Sequence, residues 1–395
     1  MTSAVLILNA GSSSIKFALY ETERLEVLCR GAIDGIGGTP RFAVRGAIAA
    51  QLPAVPTLPE PATHDSLTIW LLDTLRARLE AVTIVAAGHR VVHGGARFND
   101  PVSVDDAVMA ELDQLVSLAP LHEPHNLATI RAVTKAWDQL PQVACFDTQF
   151  HRTQPRLEQM FALPRELTDD GVLRYGFHGL SYEYIASVLP EHAGPRADGR
   201  VIVAHLGNGA SMCAMNKRRS VASTMGFTAL DGLMMGTRSG ALDPGVVLHL
   251  LQQKGMTPNE VANLLYNKSG LLGVSGISAD VRDLEASKNP RATEALDLFA
   301  YRAARELGGL VAILGGLDVL VFTAGIGEHS AFMRRRICEH FGWMGVEIDA
   351  AANSRGAALI SKPASAIDVR VIPTDEELVI ARATRRLAVA EGLPP

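Results

Sequence analysis

The chain has 395 residues, 48% hydrophobic and 20% charged; it is too long for one ordinary core and reads as two soluble, globular domains. A formal net charge of −5 excludes a basic nucleic-acid footprint, so a bound nucleotide must find positive charge locally. The four cysteines, Cys29, Cys145, Cys213 and Cys338, form no CxxC pair, which argues against a zinc site or disulfide framework and suits a reducing cytoplasm.

Ala4–Leu8 is a short apolar run, cut at Asn9, and has no basic segment before it; it is a strand and not a signal peptide. A Gly/Ser turn follows, then a second strand, Ile15–Tyr20. Pro53–Pro61 is a connecting loop. Asp65 is placed to cap a helix running to about Leu79, with Leu67, Trp70, Leu71 and Leu75 at helical spacing. Further helices are expected over 105–118, 124–137, 257–266 and 290–314. Val201–Leu206, a polar glycine turn and Met212–Met215 repeat the opening pattern half a chain later, which suggests a duplicated architecture. The basic clusters Lys217-Arg218-Arg219 and Arg334-Arg335-Arg336 read as solvated faces. The most apolar window, Leu307–Gly327, is broken by Asp318 and several glycines, so it is a helix end followed by the buried strand Val319–Thr323, with no membrane span expected. Val369–Ile372 is the last strand, and a final helix runs to about Ala390.

Glycine-rich turns thus follow strands at 9–14, 207–211 and 325–329. In open α/β sheets ligands sit at the carboxyl ends of strands. No lysine follows a glycine, so there is no Walker A loop, and the glycine pairs 35/37, 207/209 and 325/327 are followed three residues on by Pro40, Met212 and Ser330, so there is no GxGxxG. Asn9, Ser12 and Ser14 offer short polar side chains, Gly11 permits close backbone approach, and Lys16 adds a charge. That composition suits a phosphate-handling turn, although a plain polar hairpin remains open for this segment alone.

The segment Ile7-Leu8-Asn9-Ala10-Gly11-Ser12-Ser13-Ser14-Ile15-Lys16 resembles the N-terminal signature of the acetate kinase family, and Val203–Ser211 resembles its second signature. Gly88–Gly95, Phe146–Thr148, Tyr175–Gly179, Met235–Gly240, Phe322–Glu328 and Pro373–Glu377 match further blocks in the family's order, across nearly the whole chain. The resemblance implies an α/β fold of two duplicated domains, of the actin, Hsp70 and sugar-kinase type, with a nucleotide cleft between them. It implies domains at 1–148 with 378–395 and at 149–377, a cytoplasmic homodimer, and no nucleic-acid or membrane partner. The implied reaction is ATP plus acetate giving ADP and acetyl phosphate, reversibly, with magnesium (or manganese in its place).

Residue by residue, Arg90, Asp147, His178 and Arg238 match the family's catalytic positions. Asp147 suits the role of an orienter, because a carboxylate acceptor is already ionised and needs no strong base. Arg90, Val92, Leu121, Phe177 and Ala229 match the acid pocket. Ser12, Ser14, Lys16 and the turn His205, Leu206, Gly207, Asn208 and Gly209 would face the phosphates. Asp280, Val281 and Arg282, with Gly325, Ile326, Gly327, Glu328 and His329, match adenosine-side segments. Asn9 and Glu376 match magnesium-associated positions, and His122 is a further cleft histidine. Several positions depart from the family. Ala229 stands where Pro is usual, Glu123 where Asn is usual, Gln149 where Ala is usual, and Leu180 and Tyr182 where Thr and His are typical. Ala229 keeps propionate, or a broader range of short acids, open as an alternative. An ATP-driven conformational protein of the actin or Hsp70 type is the reading from another class, and the two arginines argue against it.

Overall fold

The computed structural model describes residues 2–390 except Ser12, Val55 and Leu121. The chain forms two compact units, Met1–Gln149 with Asp375–Pro395, and Phe150–Thr374.

The first unit is built on a seven-stranded sheet. Its strands are β1 (Thr2–Ala10), β2 (Ser14–Glu21), β3 (Val27–Asp34), β4 (Arg41–Arg45), β5 (Val82–Val91), β6 (Val102–Ser103) and β7 (Gln142–Phe146), in the order β4-β3-β2-β1-β5-β7-β6. The first four form antiparallel neighbours through short turns. β5 and β7 are added parallel to β1, and that requires crossovers. The helices His64–Arg78, Asp106–Leu115 and Glu123–Ala136 supply them. Leu6, Leu8, Ile15, Phe17, Leu67, Leu71 and Leu75 are fully buried together, which is where the helix His64–Arg78 meets the sheet. The final helix, Glu376–Ala390, lies against β5. Gly88 allows this: a Cβ there would collide with Thr384 Oγ1 and lie 2.7 Å from Ile380 Cγ2.

Two local expectations change. Thr63, not Asp65, caps the helix His64–Arg78, in a reciprocal box with Ser66; Asp65 sits in the first turn, where its charge suits the helix dipole. Asp375, Glu376 and Glu377, expected in the second domain, belong to the first unit. Arg30 on β3 binds Asp375 and pairs with Glu377 at 2.8 Å, and Tyr20 on β2 donates to Asp375 at 3.2 Å. These ion pairs fix the start of the last helix.

The second unit carries β8 (Arg200–Leu206), β9 (Ala210–Asn216), β10 (Arg219–Ser223), β11 (Val319–Thr323) and β12 (Asp368–Val371), in the order β10-β9-β8-β11-β12. β8, β9 and β10 are antiparallel neighbours, while β11 and β12 continue the sheet parallel to β8. This is the arrangement of β3-β2-β1-β5-β7, so the expected duplication is real at the level of topology. The helix Pro290–Leu314 buries Ala295, Leu296, Phe299, Ala303, Leu307 and Leu310, the face read from their spacing.

One basic cluster is not what its charge suggests. Lys217 and Arg218 are exposed, in the β9–β10 turn. Arg334, by contrast, is 1% exposed. It sits on the inner face of the helix Ala331–Glu339, whereas Arg335, one residue on, faces outward. The Arg334 guanidinium donates to Asn353 Oδ1 at 2.8 Å, to Asn353 O at 2.7 Å, and to the carbonyls of Gly327 and Glu328 at 2.9 and 2.8 Å.

Candidate active site

In the first unit the chemistry collects at the carboxyl ends of three adjacent strands. Asn9 ends β1 opposite Lys16 on β2, and the pairing Leu8↔His89 sets Arg90 of β5 beside Asn9. Arg90 Nη1 donates to Asn9 Oδ1 at 3.2 Å. Its Nε donates to Asp147 Oδ1 at 3.0 Å and its Nη2 to Asp147 Oδ2, a bidentate pair. Asp147 follows β7 directly and is 2% exposed. Burial opposes the Arg90 charge, but Asp147 outweighs it and holds the guanidinium firmly protonated. Glu376, the first residue of the last helix, faces the same group. Its carboxyl is raised, by burial first and with Asp147 adding to it, while Arg90 and Lys16 pull the other way.

The turn after β1 is closed by the Gly11 N–H donating to Ser14 O at 2.8 Å. Ser12 and Leu121 lie outside the described residues. Val92 is buried, and its N–H donates to Asn126 Oδ1 at 3.0 Å; Asn126 Nδ2 donates to Ala10 O at 2.7 Å. Asn126 therefore ties the turn after β1 to the strand end that carries Arg90 and Val92. Nothing in the sequence pattern singled it out. The available signal was a polar residue on the buried side of the helix Glu123–Ala136. His122 is the N-cap residue of that helix but makes no side-chain capping bond.

In the second unit the turn Gly207-Asn208-Gly209 joins β8 to β9. His178 precedes the helix Gly179–Ala193 with φ of 57°, and its Nδ1 shares a hydrogen with Ser211 Oγ at 2.8 Å. It stacks on His205 with ring centres 4.2 Å apart, and His205 Nδ1 is held by Ser181 Oγ at 2.8 Å. A Cβ on Gly209 would lie 3.4 Å from His178 Nε2 and 3.7 Å from Arg238 Nη1, so turn, histidine and arginine border one space. Arg238 Nη1 donates to Ala229 O at 3.0 Å, which sets Ala229 beside this group. Gly236 N donates to Asn208 O at 3.0 Å, and a Cβ at Gly236 would overlap Asn208 Oδ1, so only glycine admits this contact. Phe177 is buried, with its carbonyl accepting from His151 Nε2 at 2.9 Å. The departures Leu180 and Tyr182 are buried behind the histidines, with the Tyr182 hydroxyl on Ser211 Oγ.

A cavity of about 640 Å³ lies beside the turn, within the size range of small-molecule sites. Gly207, Asn208, Asp280, Val281, Arg282, Gly325, Ile326 and His329 line it, from three separate segments. Leu206, Gly327 and Glu328 do not. Leu206 is a buried strand end, and Gly327 hands its carbonyl to Arg334. Glu328 Oε1 accepts the N–H groups of Ala324 at 2.8 Å and Thr374 at 3.2 Å. Among the described residues, no three His, Cys, Asp or Glu side chains gather to hold a metal ion.

Residues 4–382 match the model of the acetokinase family. The chain belongs to the acetokinase family. It is 56% identical to an acetate kinase of Rhodopseudomonas palustris, covering 98% of this chain and 99% of the relative. It is 51% identical to an acetate kinase of Nitrobacter hamburgensis, covering 97% and 96%. Two solved structures share the fold. The acetate kinase of Porphyromonas gingivalis superposes with a TM-score of 0.84 at 36% identity, over 98% of this chain and 99% of that one. A propionate kinase of Francisella tularensis superposes with a TM-score of 0.90 at 35% identity, over 97% and 99%. Membership in the acetokinase family makes the protein a kinase that uses ATP and phosphorylates a carboxylate.

Proposed function

We propose that the protein transfers the γ-phosphoryl group of ATP reversibly to acetate, giving ADP and acetyl phosphate, with each site residue in the role set out below. The observation that carries the assignment is the fixed cation Arg90, bidentate on buried Asp147 and bonded to Asn9 at the end of the phosphate turn. A guanidinium suits a small carboxylate because it is planar and permanently charged. Arg90 binds the acid, and Asp147 orients the reacting groups. Arg238 and His178 neutralise and donate to the phosphoryl group in transit. Lys16, with Ser12 and Ser14, and the turn 205–209 hold phosphates. The cavity lined by Asp280–Arg282 and Gly325, Ile326 and His329 takes the adenosine side. Val92, Leu121, Phe177 and Ala229 are the residues assigned to the methyl group.

Magnesium fits this assignment as an ion held mainly by phosphates and water. Asn9 and Glu376 offer one amide and one carboxylate, consistent with the few protein ligands this ion takes. A divalent cation would also offset the repulsion from Asp147 that adds to burial in raising the Glu376 carboxyl. When bound, it supplies charge neutralisation on the phosphates.

A hydroxamate assay for acyl phosphate tests the reaction. We expect acetate-dependent product that EDTA abolishes, with kcat/KM for acetate above that for propionate by about tenfold or more, the scale of one methylene in an apolar pocket. ATP hydrolysis indifferent to acetate, or a preference for propionate or butyrate, overturns the assignment. The acetate kinases at 51–56% identity favour acetate over the propionate alternative that the Francisella structure represents.

The proposal includes a cytoplasmic homodimer. Leu242, Leu248 and Tyr301 of the second unit are 41%, 52% and 57% exposed, apolar surface of the kind subunit contacts cover. Light scattering should return twice the chain mass of 42.2 kDa; a monomer at micromolar concentration counts against it. No described helix is long and apolar enough to cross a membrane.

A further inference from the structure

Ala10, Gly11, Ser13 and Ser14 are the described residues of the turn after β1, and the carbonyl oxygen of each is engaged within the first unit. Ala10 O accepts from Asn126 Nδ2 at 2.7 Å. Ser13 O accepts the N–H groups of Gly35 and Ile36, both at 3.0 Å, and Ser14 O accepts the Gly11 N–H at 2.8 Å. Gly11 O lies 2.7 Å from His64 Nε2. A carbonyl oxygen only accepts, so Nε2 carries a proton and donates.

His64 is the first residue of the helix His64–Arg78 and stands 53 positions from Gly11 in sequence. It is half-buried, and its ring stacks on that of His125 with centres 4.2 Å and planes 26° apart. His125 is the neighbour of Asn126 on the helix Glu123–Ala136. Two helices therefore reach the same turn. One holds Ala10 O through Asn126, the other holds Gly11 O through His64, and the stacked imidazoles join them.

A carbonyl oxygen carries partial negative charge. A turn that handles phosphates must offer them N–H groups and cations and direct its carbonyls elsewhere. Backbone N–H groups hold Ser13 O and Ser14 O, but Ala10 O and Gly11 O depend on side chains. Gly11 has no Cβ to restrain its dihedrals, so without a donor on its oxygen the peptide is free to turn that oxygen toward the anion.

We infer that His64 is a positioning residue for phosphate binding, a reading that rests on the assignment of Asn9–Lys16 to the phosphates. Its Nε2–H keeps the Gly11 carbonyl turned away from the nucleotide, and His125 steadies the ring that donates.

The test compares wild type with His64→Phe, which keeps a stacking ring and removes the donor, and with His64→Gln, which restores an N–H at similar reach. KM for ATP, KM for acetate, kcat and the urea midpoint are measured for each. His64→Phe should raise KM for ATP about tenfold, the scale of one hydrogen bond, and leave KM for acetate within about twofold of wild type. His64→Gln should bring KM for ATP back close to the wild-type value. Should the phenylalanine variant fail to fold, His64→Ala, also without a donor, takes its place. A purely structural His64 would lower the urea midpoint and move both KM values together or neither. KM for ATP unchanged in the donorless variant, an equal rise in KM for acetate, or a glutamine variant as impaired as the phenylalanine one overturns the inference. Failure of the underlying assignment looks different: Lys16→Ala would leave KM for ATP unchanged.

Discussion

Arg238→Ala and Arg90→Ala will each lower turnover by about 10³-fold or more while nucleotide binding persists. Phosphoryl transfer asks the protein for position and charge more than covalent chemistry. An arginine that acts mainly on the transferring group therefore shows its loss in kcat. Arg238 donates to the carbonyl of Ala229, and the turn at Gly209, the ring of His178 and Met235 Sδ lie beside it. Its removal takes away the charge beside that turn. Arg90 differs. It is the bidentate partner of Asp147, which is 2% exposed. Breaking a buried pair from one side costs roughly 3–5 kcal/mol, so Arg90→Ala should also destabilise the first unit. Calorimetric titration with ATP, kcat from acyl phosphate formation, and urea unfolding separate these effects. Near wild-type kcat in either variant removes that arginine from the mechanism.

The second large effect is expected at Arg334, behind the helix Ala324–His329. Arg334→Ala removes four hydrogen bonds from a side chain that is 1% exposed. It leaves the carbonyls of Gly327 and Glu328 and the Asn353 acceptors without their donor. Each bond from a charged donor contributes about 1.5–3 kcal/mol, and the orphaned acceptors add a desolvation cost, so a loss of at least about 3 kcal/mol is expected. The helix Ala324–His329 carries Gly325, Ile326 and His329 on the cavity, so its loosening should raise KM for ATP several-fold and leave KM for acetate alone. Lysine should rescue little, since a single ammonium cannot span four acceptors set for a planar fork. Urea midpoints and the two KM values decide it; a stability change under about 1 kcal/mol would mean that the guanidinium is not holding this loop.

Much of the fold could be read locally. The helix Pro290–Leu314 has the predicted limits because its signals are adjacent in sequence. Asn289 caps it, Pro290 opens it, Gly315 closes it in the left-handed region, and one apolar face runs through it. The doubled strand–turn–strand pattern was visible because antiparallel neighbours joined by a short turn are also neighbours in sequence. The cap at Thr63 was misplaced by two residues because several polar residues near the start compete, and only the reciprocal bond with Ser66 selects one.

The residue types of the candidate site were legible, but their partners were not. The sequence by itself determined the polar turn at Asn9–Lys16, its echo at 205–209, the strands that flank these two turns, and a set of arginines and histidines suited to an anionic acceptor. Only the tertiary structure decided that Arg334 is buried while Arg335 is exposed, that Asp375–Glu377 join the first unit through Arg30, and that Asn126 spans Ala10 and Val92. It also decided that His64 holds the Gly11 carbonyl. The reason is physical. A turn or a cap is specified by residues within a few positions of each other. Burial, the partner of a charge and the state of a proton depend on groups brought together from 20 to more than 300 positions away, and no local pattern encodes those distances.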